Sequence, residues 1–270
     1  MSVAAAVPRT GRRSLAVALV AALSVAAWTT LALWAAGPYA RYVEHPGWAD
    51  AGAFARLCRA VPYGASLLPA ALHGLAWVLM IAAMMLPTVL PLLGLFRRIV
   101  RDRADAGTLV GAVTLGYAGA WLAFGIVAHG LDALVRAAAT RSDWFVLHGD
   151  WVAAGVLVGA GLFQFSALKY RCLEQCRTPF GFVTARWHGR APRREAFRLG
   201  VDHGLFCVGC CWALMLVMFV VGVGSIGWML ALAAVMAAEK NLPWGARLRT
   251  PVGVALVAWG VALVLPGYTL

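Results

Sequence analysis

The stretch VDHGLFCVGCCWALMLVMFVV, Val201 to Val221, decides the fold. Past Asp202 and His203 it carries no charged side chain, and it is long enough to cross about 30 Å of hydrocarbon, which takes ~17–25 helical residues. Six further apolar segments flank it: Leu15 to Ala36, Ala70 to Phe96, Thr108 to Leu131, Trp151 to Leu168, Ile226 to Ala238 and Val252 to Leu265. Together they predict an all-α, polytopic transmembrane helical bundle of about seven helices, one domain over residues 1–270. Ile226 to Ala238 is short, and reaches spanning length only with Glu239 and Lys240 at the interface.

Composition agrees. Apolar residues make up 62% of the chain and charged ones 13%, against about 45–50% and ~25% in soluble domains. Pro87, Pro91, Gly155, Gly159 and Gly161 fall inside apolar segments, where neighbouring helices can satisfy the freed backbone groups. The net charge of +12 would suggest nucleic acid in a soluble protein. Here it follows the loops. With the amino terminus inside, cytoplasmic segments hold 18 of the 23 Lys and Arg residues, the largest group of them in a basic loop over about 169–200. This bias predicts an N-in, C-out topology and excludes a nucleic-acid partner. The first segment is longer than the ~7–15 apolar residues of a cleaved signal and is expected to remain as a helix. No Gly-x-x-x-x-Gly-Lys-Ser/Thr motif occurs, so no nucleotide is expected.

That topology sorts the metal-ligating side chains by depth. His45, His73, His129 and His148 fall at or beyond the outer helix ends, with Asp132 one turn from His129 and Asp150 two residues after His148. Imidazole and carboxylate together suit Zn, Cu(II), Fe or Mn. Singly, such residues are ordinary interfacial decoration; together they predict an outer metal site of His73, His129, Asp132, His148 and Asp150.

The opening stretch carries a second set. Cys207, Cys211, Met215 and Met218 follow one helical face, with Cys210 beside them, and soft thiolate and thioether ligands select Cu(I) over hard cations. Ordinary core packing is the competing account of the methionines. In the basic loop, Cys172 and Cys176 would share a face if that segment is helical. On the second segment His73, Trp77, Met80 and Met84 share a face, with Met85 adjacent, and Pro87 and Pro91 break the ladder and open carbonyls to the bundle. Two placements are open for Glu239-Lys240: the inner interface, or the bundle interior.

Four stretches carry a family resemblance: WVLMIAAMMLPTVLPL (Trp77 to Leu92), LKYRCLEQCRTPFGF (Leu168 to Phe182), GLFCVGCCWALMLVMFVVG (Gly204 to Gly222) and WMLALAAVMAAEKNLPWG (Trp228 to Gly245). The chain resembles the bacterial integral membrane proteins described as predicted metal-binding, domain of unknown function 2182. The resemblance implies a multi-pass protein of the bacterial cytoplasmic (inner) membrane. It singles out Met84, Met85, Pro87, Cys172, Cys176, Cys210, Cys211, Glu239 and Lys240, and carries no substrate or reaction.

The leading expectation is a metal-binding membrane protein that handles copper through transport, delivery or assembly. Its metal residues are the outer His/Asp set together with Met84, Met85, Met215, Cys172, Cys176, Cys207, Cys210 and Cys211. Its expected partners are the lipid bilayer and a second membrane or periplasmic protein. Two alternatives stand beside it: a copper-type oxidoreductase centred on the outer cluster, and a thiol redox component or membrane anchor of a complex.

Overall fold

The structure is a computed structural model that describes residues 11–36, 67–141, 148–222 and 225–265. His45 and Cys58 lie outside them. The described residues are all-helical, with ten α-helices and no strand. These are α1 (Gly11–Ala35), α2 (Leu67–Met80), α3 (Leu90–Ile99), α4 (Ala106–Arg141), α5 (Gly149–Phe163), α6 (Ala167–Arg177), α7 (Pro179–Arg186), α8 (Pro192–Val221), α9 (Ile226–Asn241) and α10 (Arg249–Val264). Three helices are long and apolar enough to cross a membrane, and five if each of two bent pairs counts as one span.

Both bent pairs have local causes. Between α2 and α3, Ile81–Met85 forms one π-helical turn and Pro87–Val89 a 3₁₀ turn, and the axis bends by 40°. Pro87 has no N–H for the Ala83 carbonyl, as the sequence led us to expect. Ser24 of α1 donates its hydroxyl to that carbonyl at 3.0 Å. The Met85 carbonyl, left by Val89, which turns to Leu86, accepts from Thr88 Oγ1 at 2.8 Å and Tyr117 OH at 3.1 Å. Between α5 and α6 the axis turns by 62°. There Ser166 caps α6 by accepting the Lys169 N–H at 3.1 Å. The fourth apolar segment is thus two helices rather than the continuous Trp151 to Leu168.

The core forms where α8 lies along α4. Glycine makes this approach possible: a Cβ on Gly200 would sit 2.0 Å from the Val113 carbonyl oxygen, and one on Gly204 would sit 2.6 Å from the Ala120 Cβ. A Gly-x-x-x-Gly face that admits a neighbouring backbone is the usual close-packing device of apolar helices, which gain little from hydrophobicity against one another. Cys207 and Cys211 continue this side of α8. Close α4–α8 packing therefore brings Tyr117 against Cys207. Helix α6 packs on α8 as well, and α10 lies along α5.

Candidate metal centre

Four helices, the π-turn and the 3₁₀ turn deliver side chains to one buried cluster. From α8 come Cys207, Cys210 and Cys211, each about 1% exposed. From α6 comes Cys176, from α4 Tyr117, from α9 Lys240, and from the π-turn and the 3₁₀ turn after it come Met85 and Thr88. The sulfurs of Cys210 and Cys211 are 3.4 Å apart, and those of Cys176 and Cys210 3.9 Å. Cys207 is joined to this group through its backbone carbonyl, which accepts from Cys210 Sγ at 3.1 Å. Cys172, Cys176, Cys207, Cys210 and Cys211 are all free thiols.

Lys240 donates to Cys207 Sγ at 2.9 Å and to Thr88 Oγ1 at 3.4 Å, with Met85 Sδ at 4.0 Å. The sequence left Glu239-Lys240 either at the interface or inside the bundle. Both are inside, 1% and 6% exposed, and they do not pair with each other. Glu239 instead binds Lys169 of α6, with Nζ and Oε2 2.6 Å apart. Arg177 donates to the Glu239 backbone carbonyl, and to the Pro243 carbonyl at 2.9 Å. A buried charge is tolerated when paired and hydrogen bonded. Since Lys169 takes Glu239, Lys240 has no carboxylate partner among the described residues, and the sulfur of Cys207 stands where one would be.

Of the residues expected to bind metal, Cys176, Cys207, Cys210, Cys211 and Met85 are gathered here. Cys172 and Cys176 do fall on one helix and face α8, but the Cys172 sulfur lies against Gly209, where an added Cβ would sit 2.7 Å away. Met84 and Met215 are buried in the hydrophobic core; the thioether that reaches Lys240 belongs to Met85. At the other end His129 packs edge-on against Trp77 at 5.2 Å and against Phe219 at 5.7 Å. Asp132 is buried one turn further along α4. His148 and Asp150 are half-buried at the start of α5, and His73 lies on α2. Among the described residues no three His, Cys, Asp or Glu side chains form a ready-made metal-holding group, at either end. The thiols are instead hydrogen bonded to one another and to Lys240 and Tyr117.

The model of the PpoB2 family, described as copper chaperone, matches residues 74–263, well over half of the 270. The chain belongs to this copper chaperone family. No curated protein and no solved structure matches it. The matched region contains every member of the thiol cluster, so copper chemistry can be read against those side chains. Thiols and a thioether are soft donors, which favour Cu(I). In a sulfur site with metal–sulfur bonds of about 2.3 Å, ligand sulfurs stand ~3.7–4 Å apart. The Cys176–Cys210 spacing of 3.9 Å falls in this range, and the 3.4 Å between Cys210 and Cys211 falls short of it.

Three members of the site are not evident from sequence patterns. Tyr117 is a fully buried hydroxyl mid-way along an apolar helix, and its polarity at that depth is the available signal. Thr88 is an inconspicuous neighbour of Pro87. Lys169 reads as the first residue of a cytoplasmic loop, yet is fully buried; nothing local announces a partner seventy residues away.

Proposed function

We propose that this chain is a membrane-embedded Cu(I) chaperone whose cargo site is the thiol cluster, with Cys207 and Cys211 as principal ligands, Met85 beside them, and Cys176 and Cys210 at the edge. The observation that carries this reading is a buried ammonium bonded to the free thiol of Cys207, with the free thiols of Cys176, Cys210 and Cys211 in contact with one another beside it. A monovalent copper ion held by two thiolates has a net charge of −1. Lys240, at 2.9 Å from Cys207, supplies the opposite charge in a place where water cannot. The surroundings fit an ion that is carried and passed on: Cys176 is partly exposed, and its sulfur leads through Cys210 to Cys211 in the interior.

In this reading the apolar segments cross the bacterial inner membrane seven times, N-in and C-out, and the loop from α6 to α8 faces the cytoplasm. The His/Asp residues near His129 and His148 then stand on the outer side, where harder ligands suit Cu(II). Copper passes to or from a second membrane or periplasmic protein.

The test is copper loading of the purified full chain in detergent, under argon, with Cu(I) supplied and competed against bicinchoninate. The expected result is one tightly held Cu(I) per chain with sulfur as its neighbours by copper K-edge absorption, lost in Cys207→Ser and Cys211→Ser. Wild-type protein that retains no Cu(I), or retains it on nitrogen and oxygen only, overturns the proposal.

A further inference from the structure

Resting on the reading of the cluster as a Cu(I) site, we infer that the protein also generates its cargo: Cys176 and Cys210 are a dithiol that reduces arriving Cu(II). Sulfur ligands hold the reduced ion, whereas the oxidised ion prefers nitrogen and oxygen, so a sulfur site supplied with Cu(II) needs an electron donor. The free thiols offer few ways to make one. Cys210 and Cys211 are closest, at 3.4 Å, but they are consecutive. Consecutive Cα atoms are about 3.8 Å apart, short of the ~4.4–6.8 Å that a disulfide spans. The Cys207 sulfur is engaged by Lys240 and Tyr117 at 2.9 and 3.1 Å. Cys172 is turned to Gly209.

Cys176 and Cys210 are the pair whose sulfurs meet across two helices, with Cys210 also donating to the Cys207 carbonyl at 3.1 Å. Their sulfurs are 3.9 Å apart, and a bond of about 2.05 Å requires that gap to close by a little under ~2 Å. Cys176 is also the one cluster thiol that is partly exposed, while Cys207, Cys210 and Cys211 are buried, so an ion that reaches the cluster from the side of the α6–α8 loop meets it first.

The reaction balances without a further reagent. Two Cu(II) ions each accept one electron, the Cys176 and Cys210 thiols lose their two protons, and one S–S bond forms between them. The products are two Cu(I), one disulfide and two protons. Each Cu(I) moves in turn to Cys207 and Cys211. An external dithiol returns the pair to its reduced form by exchange.

The experiment adds Cu(II) anaerobically to the reduced full chain in detergent. It follows the Cu(II) electron paramagnetic resonance signal, Cu(I) by bicinchoninate, and the disulfide by differential alkylation and mass spectrometry. The signal is expected to vanish with two Cu(I) per disulfide, the disulfide to map to Cys176–Cys210, and dithiothreitol to reset the protein. Cys176→Ser and Cys210→Ser should each slow the loss of signal by about tenfold or more, and Cys172→Ser should not. A persistent signal, a disulfide mapped elsewhere, or Cys176→Ser reducing as fast as wild type overturns the inference. Mapping in the wild type decides the matter should a variant fail to fold. Protein that binds supplied Cu(I) but leaves Cu(II) unreduced sinks this inference alone; protein that binds no Cu(I) sinks the chaperone reading beneath it.

Discussion

The thiol cluster and the His129–Asp132 end of α4 look alike as strings of metal-ligating residues, yet the fold treats them differently. At the thiol end, helices far apart in sequence lock through Lys169–Glu239, Lys240–Cys207, Tyr117–Cys207 and Arg177 to the end of α9. At the other end, His129 is set between the rings of Trp77 and Phe219. Ligand-capable residues become a candidate site when packing forces their polar atoms together, and glycine-mediated contact between α4 and α8 does so at the thiol end.

The contrast can be broken by mutation, most sharply through the ion pair. Lys169→Met leaves Glu239 buried without its partner and is expected to destabilise the protein by roughly 3–5 kcal/mol. Thermal unfolding in detergent measures this, and the double replacement Lys169→Met/Glu239→Leu should recover most of the loss. Replacing Cys207 and Cys211 together by Ser should lower Cu(I) affinity by about a hundredfold or more, ~2.7 kcal/mol, while His129→Ala changes it by less than about threefold. A competition titration in which His129→Ala does the greater damage would reverse the comparison. Lys240→Met removes the balancing charge and should weaken Cu(I) binding by about tenfold, with partial recovery in Lys240→Arg. Tyr117→Phe deletes a hydroxyl that serves both Met85 and Cys207, and should cost about 1–2 kcal/mol in stability. Smallest of all, Ser24→Ala leaves the Ala83 carbonyl unmet within the π-turn, a loss of roughly 1 kcal/mol by the same melt.

Much of the helix pattern is legible in the chain because apolar runs and residue spacing are local properties. The shared side of Cys207 and Cys211, the helix bearing Cys172 and Cys176, and the carbonyls opened by Pro87 can all be read from it. The choice between Met84 and Met85 cannot. A regular helix carries the face of Trp77 and Met80 on to Met84. The π-turn over Ile81–Met85 spaces one more residue into its turn, which rotates the residues after it by about 100°. Met85 is then the residue whose sulfur meets Lys240. The positions of Lys169 and Lys240 are equally hidden, because burial of a lysine depends on an acceptor from another helix and not on its neighbours in sequence. Charge alone assigns Lys169 to the loop, and the bend after α5 is the feature that carries it inward.

The tie between α6 and α9 has a mechanical meaning. Lys169–Glu239 and the two bonds from Arg177 tie these helices together, so Cys176 and Lys240 are carried by helices joined through one ion pair, while Cys207, Cys210 and Cys211 come from α8, against which α6 also packs. Breaking that pair is therefore expected to disturb the Cys176–Cys210 and Lys240–Cys207 contacts together, so that the register of a sulfur and the place of a buried charge depend on a single salt bridge.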